Sequence, residues 1–362
     1  MRFSNPYKFR PPSAEKGDSP HWCAAPFGPF RRAPTEGWSG TVPFFRGGFT
    51  LIEMLIVISI LMILAAAAAN VMRPALDGRR IREAARAVNV YLSSARNRAM
   101  ETGRPCGVIL RRFGTLPCAM NADQCEVPPC YCGDTEQSTA QVTAVSGNVV
   151  TVSLDVAPIG LVRRGDLVQL NSQGPLYIIN DTNPVDANGF VTGASLSLAL
   201  DTSQGQMAPW SASSPRVPYR IFRSPMKGAA TPLQLPAAAV VDLQWSGIDT
   251  GFFGATAADV TVLFSPNGSV SCIYYGNTRL DVVQPVFLLI GKREKVSPGT
   301  YSAADPATWA NWQDLTNFWV AINPQTGLVT TDVVARATAA DAATGIPQAR
   351  LFARDAQGMG GK

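Results

Sequence analysis

The chain has 362 residues, of which 46% are hydrophobic and only 16% charged, a low charged fraction for a soluble enzyme. Its net charge of +5 is uneven, because residues 1–48 hold seven Lys/Arg and three Asp/Glu while the remainder holds 24 and 23. This nearly neutral remainder gives no case for general nucleic-acid affinity. The single histidine, His21, lies in the N-terminal segment. If that segment is removed, the body has no imidazole for a Ser-His-Asp or Cys-His site or for histidine-ligated zinc.

The first long element is an apolar run from Phe49 to Met72, 24 residues with one charge. As a helix it would measure about 36 Å, which exceeds the hydrocarbon core of about 30 Å. The run predicts a transmembrane helix. Residues 1–45 before it are rich in Pro, Gly, Ser and Arg and are predicted to be disordered. The N-terminal side of the predicted transmembrane helix carries Arg46 and the other Lys and Arg residues of the first 48, and it is expected to stay in the cytoplasm. The C-terminal body would then be exported.

The one charge in this run is Glu53, and an ionised acid in an apolar span costs about 2.5–3.5 kcal/mol. Such a residue requires a partner. A cut after Gly48 would create a new α-amino group on Phe49, four positions from the acid. In an assembly, the Glu53 carboxylate of one subunit can pair with the Phe49 amine of the next and fix the stagger of the packed helices.

The residues "GFTLIE" resemble the prepilin peptidase site of type IV pilins and type II secretion pseudopilins. The resemblance implies cleavage between Gly48 and Phe49, N-methylation of Phe49, and a role for Glu53 in assembly. The alternative is an ordinary signal anchor. A leader of 48 residues is long for this family, and no Met lies between Met1 and Met54. We therefore expect translation to start at Val42, which would give the short leader "VPFFRGG".

The segment after the span, residues 73–102, is predicted to continue the helix as an amphipathic one. Pro74 and Asp77-Gly78 are weak points in it. Beyond them, apolar residues recur at three- and four-residue steps, and Gly103 and Pro105 provide the stop. The recurring residues are Ile81, Ala84, Ala85, Val88, Leu92, Ala95 and Ala99. This face should pack on a β-sheet. The arginines at 79, 80, 82 and 86 are interpreted as a solvated face, with lipid phosphate or neighbouring acids as the alternative.

"SARNRAMETGRPCGVIL" also resembles the helix-to-strand junction of H-type pseudopilins and FimT-like minor pilins, with Arg96 and Ala99 at matching places. "FSPNGS" (264–269) and "NPQTG" (323–327) are similar to two turns of that family, and each is also a good hairpin turn. The resemblance covers about 49–112 and 217–330. It implies an α+β, pilin-like fold in which a long N-terminal helix, transmembrane in its first half, packs on an antiparallel sheet.

The β-rich exported domain is expected to span 103–330 and to contain an insertion at about 113–216. Short strands separated by Gly, Asn and Pro turns predict that the insertion is a small β-barrel or sandwich. "YRIFRSP" (219–225) should return the chain to the parent sheet. The Ala/Gly-rich tail, 331–362, is expected to hold a short surface helix and otherwise to be mobile.

Six cysteines remain if Cys23 is removed with the leader, an even number that suits disulfides in an oxidising compartment. They are Cys106, Cys118, Cys125, Cys130, Cys132 and Cys272. We expect two disulfides within 118–132, with zinc as the alternative. Cys130 and Cys132 are not expected to pair with each other because the geometry is poor. By elimination, Cys106 and Cys272 form the third pair.

The sequence gives little indication of a catalytic, nucleotide-binding or metal site. The chain has no Walker A, G-x-G-x-x-G or G-x-S-x-G motif, and we expect no metal, no cofactor and no catalytic residue. The insertion acids Asp155, Asp166, Asp181 and Asp186 lack calcium-loop spacing and are interpreted as solvated turn acids, with a calcium site as the alternative. The aromatic group at 308–319 is interpreted as core, with stacking on a sugar or base as the alternative.

The sequence thus predicts a structural subunit, a minor pilin or pseudopilin, of a type II secretion pseudopilus or type IV pilus. Its partners would be other pilin or pseudopilin subunits, the prepilin peptidase and an inner-membrane assembly platform. It would be a single-pass protein of the inner membrane, with a cytoplasmic N-terminus, until it enters a filament. The alternative is a pilus-tip adhesin or a DNA-uptake subunit. The arginine pairs 111–112 and 163–164 suggest the DNA-binding version, because arginine binds the phosphate backbone. An exported enzyme is the third class, and the lack of histidine argues against it.

Overall fold

The computed structural model describes residues 50–202, 205–208, 210, 213–254, 258–276, 278–296, 309–339 and 341–359, with backbone alone at 69–75. The chain divides into a first unit ending at Ile60 and a second unit from Leu61 to Lys362. The described part of the first unit is the start of helix α1, Leu51–Thr102. An apolar N-terminal helix followed by antiparallel sheets makes this a mixed α/β protein.

Helix α1 begins after Thr50 and ends before Gly103. Thr50 acts as the N-cap, because its hydroxyl accepts a hydrogen bond from the Glu53 amide at 3.3 Å. Gly103 has a φ of +65°, the left-handed conformation that commonly ends helices and that glycine adopts without strain. The helix is continuous through Pro74 and Gly78, the two predicted weak points.

Seventeen strands and two short helices follow α1 in the described part of the chain. The strands are β1 Cys106–Arg112, β2 Cys118–Glu126, β3 Ala140–Ser146, β4 Val149–Leu154, β5 Leu167–Leu170, β6 Tyr177–Ile179, β7 Ser195–Ala199, β8 Tyr219–Phe222, β9 Met226–Lys227, β10 Leu233–Gln234, β11 Ala239–Ile248, β12 Val260–Phe264, β13 Val270–Tyr275, β14 Thr278–Leu280, β15 Val286–Lys292, β16 Phe318–Ile322 and β17 Val329–Val333. The helices are α2 Ala342–Ala349 and α3 Leu351–Gly358.

The first sheet is antiparallel and has the order β14-β13-β12-β1-β2-β11-β15-β16-β17, with β9 and β10 also paired to β2. One face packs against α1 through the predicted stripe, in which Ile81, Ala84, Ala85, Val88, Leu92, Ala95 and Ala99 are all buried. The other face carries Phe287, Leu289 and Trp319, which pack with Trp312 and with Ile346 of α2. The sequence interpretation of the 308–319 aromatic group as core agrees with this burial.

The second sheet contains the strands in the order β3-β4-β7-β6-β5-β8 and has its own apolar core. A backbone bridge joins Ala140, at the start of β3, to Val217, just before β8. Because β3 and β8 are the two ends of this sheet, the bridge closes it on itself as a small barrel does. This agrees with the predicted β-rich character of the insertion.

Both predicted limits of the insertion differ from the structure. Strand β2 was expected inside the insertion, but it pairs with β1 over seven residue pairs and belongs to the first sheet. Strand β8 was expected to rejoin the parent sheet, but it pairs with β5. The inserted sheet is therefore built from residues 140–222. Single hairpins look alike in sequence whichever sheet they join, so pattern alone could not assign them.

The C-terminal segment also differs from the expected mobile tail. Asp341 caps α2 by accepting a hydrogen bond from the Thr344 amide at 2.8 Å. Ile346, Ala349 and Ala353 are buried against the first sheet. The helical segment therefore closes the face of the sheet opposite α1.

Candidate processing and assembly site

The predicted site lies at the start of α1. Gly48 and Phe49, the predicted cleavage and methylation residues, lie outside the described residues. Glu53 occupies the third position of the helix, where the free amides of the first turn favour negative charge. The pattern Thr50-x-x-Glu53 is also a capping-box sequence, a local signal of the helix start that was not among the sequence-based expectations.

The helix around Glu53 is apolar and uncovered. The segment Leu51–Ala68 has a mean hydropathy of 2.7, and none of it is buried. Its large side chains are at least 46% exposed, including Leu51, Ile52, Leu55, Ile56, Val57, Leu61 and Ile63. It is the one helix of the described residues that is long and apolar enough to cross a membrane. Such a surface needs lipid or other apolar helices around it.

Three segments whose sequences were noted above as resembling pilin-like proteins meet in the structure at Arg96 of α1. The Arg96 Nε donates to the carbonyl of Gly268 at 3.1 Å and to that of Thr326 at 3.0 Å. Gly268 belongs to the "FSPNGS" turn and Thr326 to the "NPQTG" turn. A Cβ on Gly327 would lie 1.9 Å from the Gly268 carbonyl oxygen. Arg96 therefore ties the end of the helix to two hairpin turns of the sheet.

All six cysteines of the described residues have free thiols in the structure. Cys118 and Cys125 lie at opposite ends of β2, about 23 Å apart at the usual rise per residue, so they do not meet. Cys106 and Cys272 are separated by β12 and belong to clusters on opposite faces of the first sheet. The arrangement therefore does not favour the predicted 106–272 pair, and the disulfides stay predictions.

Burial and exposure divide the thiols into two groups. Burial raises the pKa of Cys118 to about 11 and also raises the pKa of Cys125 and Cys272. Cys130 and Cys132, by contrast, are exposed, and their Sγ atoms are 3.8 Å apart. The structure therefore brings together the two cysteines that we did not expect to pair.

Three of the insertion acids accept hydrogen bonds from backbone amides, and Asp166, which was expected to be solvated, is buried instead. Asp155 accepts from the Thr139 amide at 2.8 Å and pairs with Arg216. Asp186 accepts from the amides of Asn188 and Phe190 at 2.9 and 2.8 Å. Burial raises the pKa of Asp166, although hydrogen bonds from Ser224 and the Arg163 amide oppose this. Among the described residues, no three His, Cys, Asp or Glu side chains are grouped to hold a metal ion.

The two arginine pairs of the alternative function contribute to one cleft. Arg111 on β1 and Arg163 and Arg164 from the inserted barrel line a cavity of about 380 Å³ together with Lys227. Burial alone would raise the pKa of Asp123, but hydrogen bonds from Arg111 and Lys227 lower it. Those two cations are thus already paired with an acid. Arg163 lies over the Phe190 ring, 4.4 Å from its centre, and Arg164 donates to the Asn183 carbonyl.

Comparison with known proteins adds one match. The family model of the prokaryotic N-terminal methylation motif matches residues 45–69. With the adjacent apolar helix, this segment fits the prepilin motif of type IV pilin-like proteins. No curated protein and no solved structure matches the chain. The motif indicates a type IV pilin-like protein that is processed as a prepilin and is anchored by a single N-terminal helix.

Proposed function

We propose that the chain is a structural subunit, a minor pilin or pseudopilin, of a type II secretion pseudopilus or type IV pilus. Prepilin peptidase cuts it between Gly48 and Phe49, and the new N-terminus is methylated. The subunit then leaves the membrane by packing its helix against those of other subunits at the inner-membrane assembly platform. The observation that carries the proposal is the methylation motif at 45–69 followed by an uncovered apolar helix.

Glu53 gives the assembly its register. Its carboxylate lies in the first turn of a helix whose next nineteen residues are uncharged. In lipid this charge is costly, and the α-amino group of Phe49 in an adjoining subunit offers a compensating cation. Helix association in a membrane gains little from apolar burial, because lipid tails are already apolar. A specific polar pair is therefore well suited to select one stagger between helices.

The fold supports the same assignment. A long N-terminal helix packs its second half on an antiparallel sheet, and Arg96 joins that helix to the two turns that resemble the H-type and FimT-like family. The body would lie on the exported side and the N-terminus in the cytoplasm, as expected for a chain that carries the methylation motif at 45–69. The subunit would thus be a substrate of the peptidase, with no catalytic role of its own.

The test uses the full-length chain and two matched substitutions on α1. Mass spectrometry of cell envelopes should find a mature chain that begins at methylated Phe49. Glu53→Val should abolish incorporation into filaments, while Glu83→Val, which removes an exposed acid from the second half of α1, should leave incorporation intact. An intact Gly48–Phe49 bond, or normal polymerisation of Glu53→Val, would contradict the proposal.

A second candidate is a pilus-tip subunit that binds DNA or a surface through the inserted barrel. The shared cleft of Arg111, Arg163 and Arg164 favours it, because cations about 50 residues apart in sequence converge there. Arg111 is already paired with Asp123, whereas Arg163 and Arg164 have no acidic partner among the ion pairs of the described residues. Two of the three arginines are therefore left to bind phosphate. A gel shift that is absent at low salt would remove this candidate.

A further inference from the structure

The cavity at the start of the buried half of α1 combines apolar and cationic groups. It has a volume of about 380 Å³. Its walls come from the helix (Asp77, Arg80, Ile81), from the β1–β2 turn (Leu116), from the start of β11 (Ala237, Ala238, Ala239) and from the end of β15 onward (Lys292, Arg293, Glu294). The lining thus combines leucine, isoleucine and alanine with five charged residues.

The position of this cavity along α1 is informative. Arg80 lies eight residues after Met72, the end of the apolar run, or about 12 Å along the helix axis. Half of the difference between a bilayer's total thickness and its hydrocarbon core is about 5–8 Å. Side chains on a helix point back toward its N-terminus, and arginine chains are long, so Arg79 and Arg80 can reach the headgroup layer.

Cations exceed acids around this cavity. Residues 77–86 and 292–295, together with Asp314, hold seven Lys/Arg and four Asp/Glu. Lys292 and Lys295 both contact Asp314, at 3.2 and 2.8 Å, and Arg80 contacts Asp77 at 3.3 Å. Arg293 is exposed, and its guanidinium lies 4.8 Å from the ring centre of Phe113, which is itself 42% exposed.

We propose that this cavity binds the headgroup of an anionic phospholipid, with Arg80 and Arg293 on its phosphate and the Ile81, Leu116 and Ala238 surface against its glycerol and upper acyl chain. The lipid site rests on the proposed function, in which α1 is inserted in the membrane. The bound lipid would fix the depth and rotation of the subunit in the bilayer before assembly. It would also give a role to the arginines at 79, 80 and 82, which lie seven to ten residues after Met72.

The test measures lipid retention by full-length protein purified in detergent, using native mass spectrometry. Phosphatidylglycerol, phosphatidylethanolamine and phosphatidylcholine with identical acyl chains are added in turn. Wild type should retain phosphatidylglycerol in preference to both others. Arg80→Gln with Arg293→Gln should weaken that retention by about fivefold for each arginine. The matched control, Arg216→Gln with Arg220→Gln, removes two exposed arginines from the inserted barrel and should retain the lipid as wild type does.

Two results would overturn the lipid site. One is equal retention of all three lipids by wild type, and the other is undiminished phosphatidylglycerol retention by the Arg80/Arg293 double variant. Alkaline extraction of membranes separates this failure from failure of the proposed function. A chain that resists extraction but shows no lipid preference refutes the lipid site alone, whereas a chain released by extraction refutes membrane insertion as well.

Discussion

The two faces of the first sheet are covered by helices in different ways. Toward α1 the buried surface is built from aliphatic residues, such as Val88 and Leu92 on the helix and Val262 and Leu288 on the sheet. Toward α2 and α3, aromatic rings are interleaved with buried polar groups, among them Asp242, Asn311, Asn317 and Arg350. The first face depends on close apolar packing, whereas the second also depends on each polar group having a partner.

Arg350 shows what the second face requires. Its guanidinium is fully buried and lies 5.0 Å from the ring centre of Phe287 and 4.9 Å from that of Trp319. It donates to the carbonyls of Trp245, Asp249 and Gly251 at 2.8, 2.6 and 2.9 Å. Burial, and then repulsion from Arg354, lowers the pKa of this side chain. One side chain thus satisfies three carbonyls at the end of β11 and in the loop after it.

The largest expected effect is therefore that of Arg350→Met. It keeps apolar volume but leaves buried carbonyls without donors, and we expect it to lower the free energy of unfolding by about 3–5 kcal/mol. Arg354→Met is the matched control, since Arg354 is one-third exposed and its ion pair with Asp249 is a surface pair worth at most about 1 kcal/mol. Chemical denaturation of the detergent-solubilised protein measures both. Equal losses would show that the carbonyl contacts of Arg350 do not matter.

The apolar face is tested by Leu92→Ala. Leu92 is fully buried between α1 and the sheet, and its truncation should cost about 2–5 kcal/mol through lost transfer energy and the remaining cavity. Leu55→Ala makes the same change in the exposed apolar part of α1, where Leu55 is 59% exposed, and should leave the unfolding free energy unchanged. A similar loss of unfolding free energy for both variants would mean that the two halves of α1 contribute equally to the stability of the folded body.

The buried residues of the two faces also differ in how well they could be predicted from the sequence. Every residue of the predicted Ile81–Ala99 stripe is buried, because a 3.6-residue apolar period leaves one solution for a helix on a sheet. The hairpins after "FSPNGS" and "NPQTG" were predicted as well, since their turn residues act locally. No local signal marks Arg350 as buried, because its partners are carbonyls about 100 residues away.

In the candidate site, too, the local features could be predicted from sequence and the contacts between distant residues could not. The motif of Gly48, Phe49 and Glu53 is contiguous and could be recognised from sequence. The family model matches the segment 45–69 that contains these residues, and their individual roles stay predictions. The cysteines could not be paired from sequence, because pairing depends on which strands separate them. Here β12 lies between Cys106 and Cys272. The insertion limits were missed for a related reason, as β2 and β8 pair with strands that the local pattern does not specify.

Asp242 provides the most specific test of the second face. It is fully buried on β11, where it accepts from the Asn311 side chain at 2.8 Å and from the Gln244 amide at 3.1 Å. Burial raises the pKa of Asp242 to about 7 despite these hydrogen bonds. The unfolded chain ionises near pH 4, so between about pH 4 and 7 the folded state holds one proton more.

Folding stability should therefore be highest below about pH 4 with respect to this group and fall as pH rises toward 7. The slope from one proton is at most about 1.4 kcal/mol per pH unit. Asp242→Asn cannot ionise and should flatten this part of the profile, measured as the unfolding free energy at several pH values. Asp314→Asn is the contrasting variant, because Lys295 and Thr316 overcome burial and lower the pKa of Asp314. Loss of the Asp314 carboxylate should remove stability that is present at neutral pH and disappears in acid. Opposite pH trends for the two aspartates would show that the pKa of each buried carboxyl group on this face is set by its own partners.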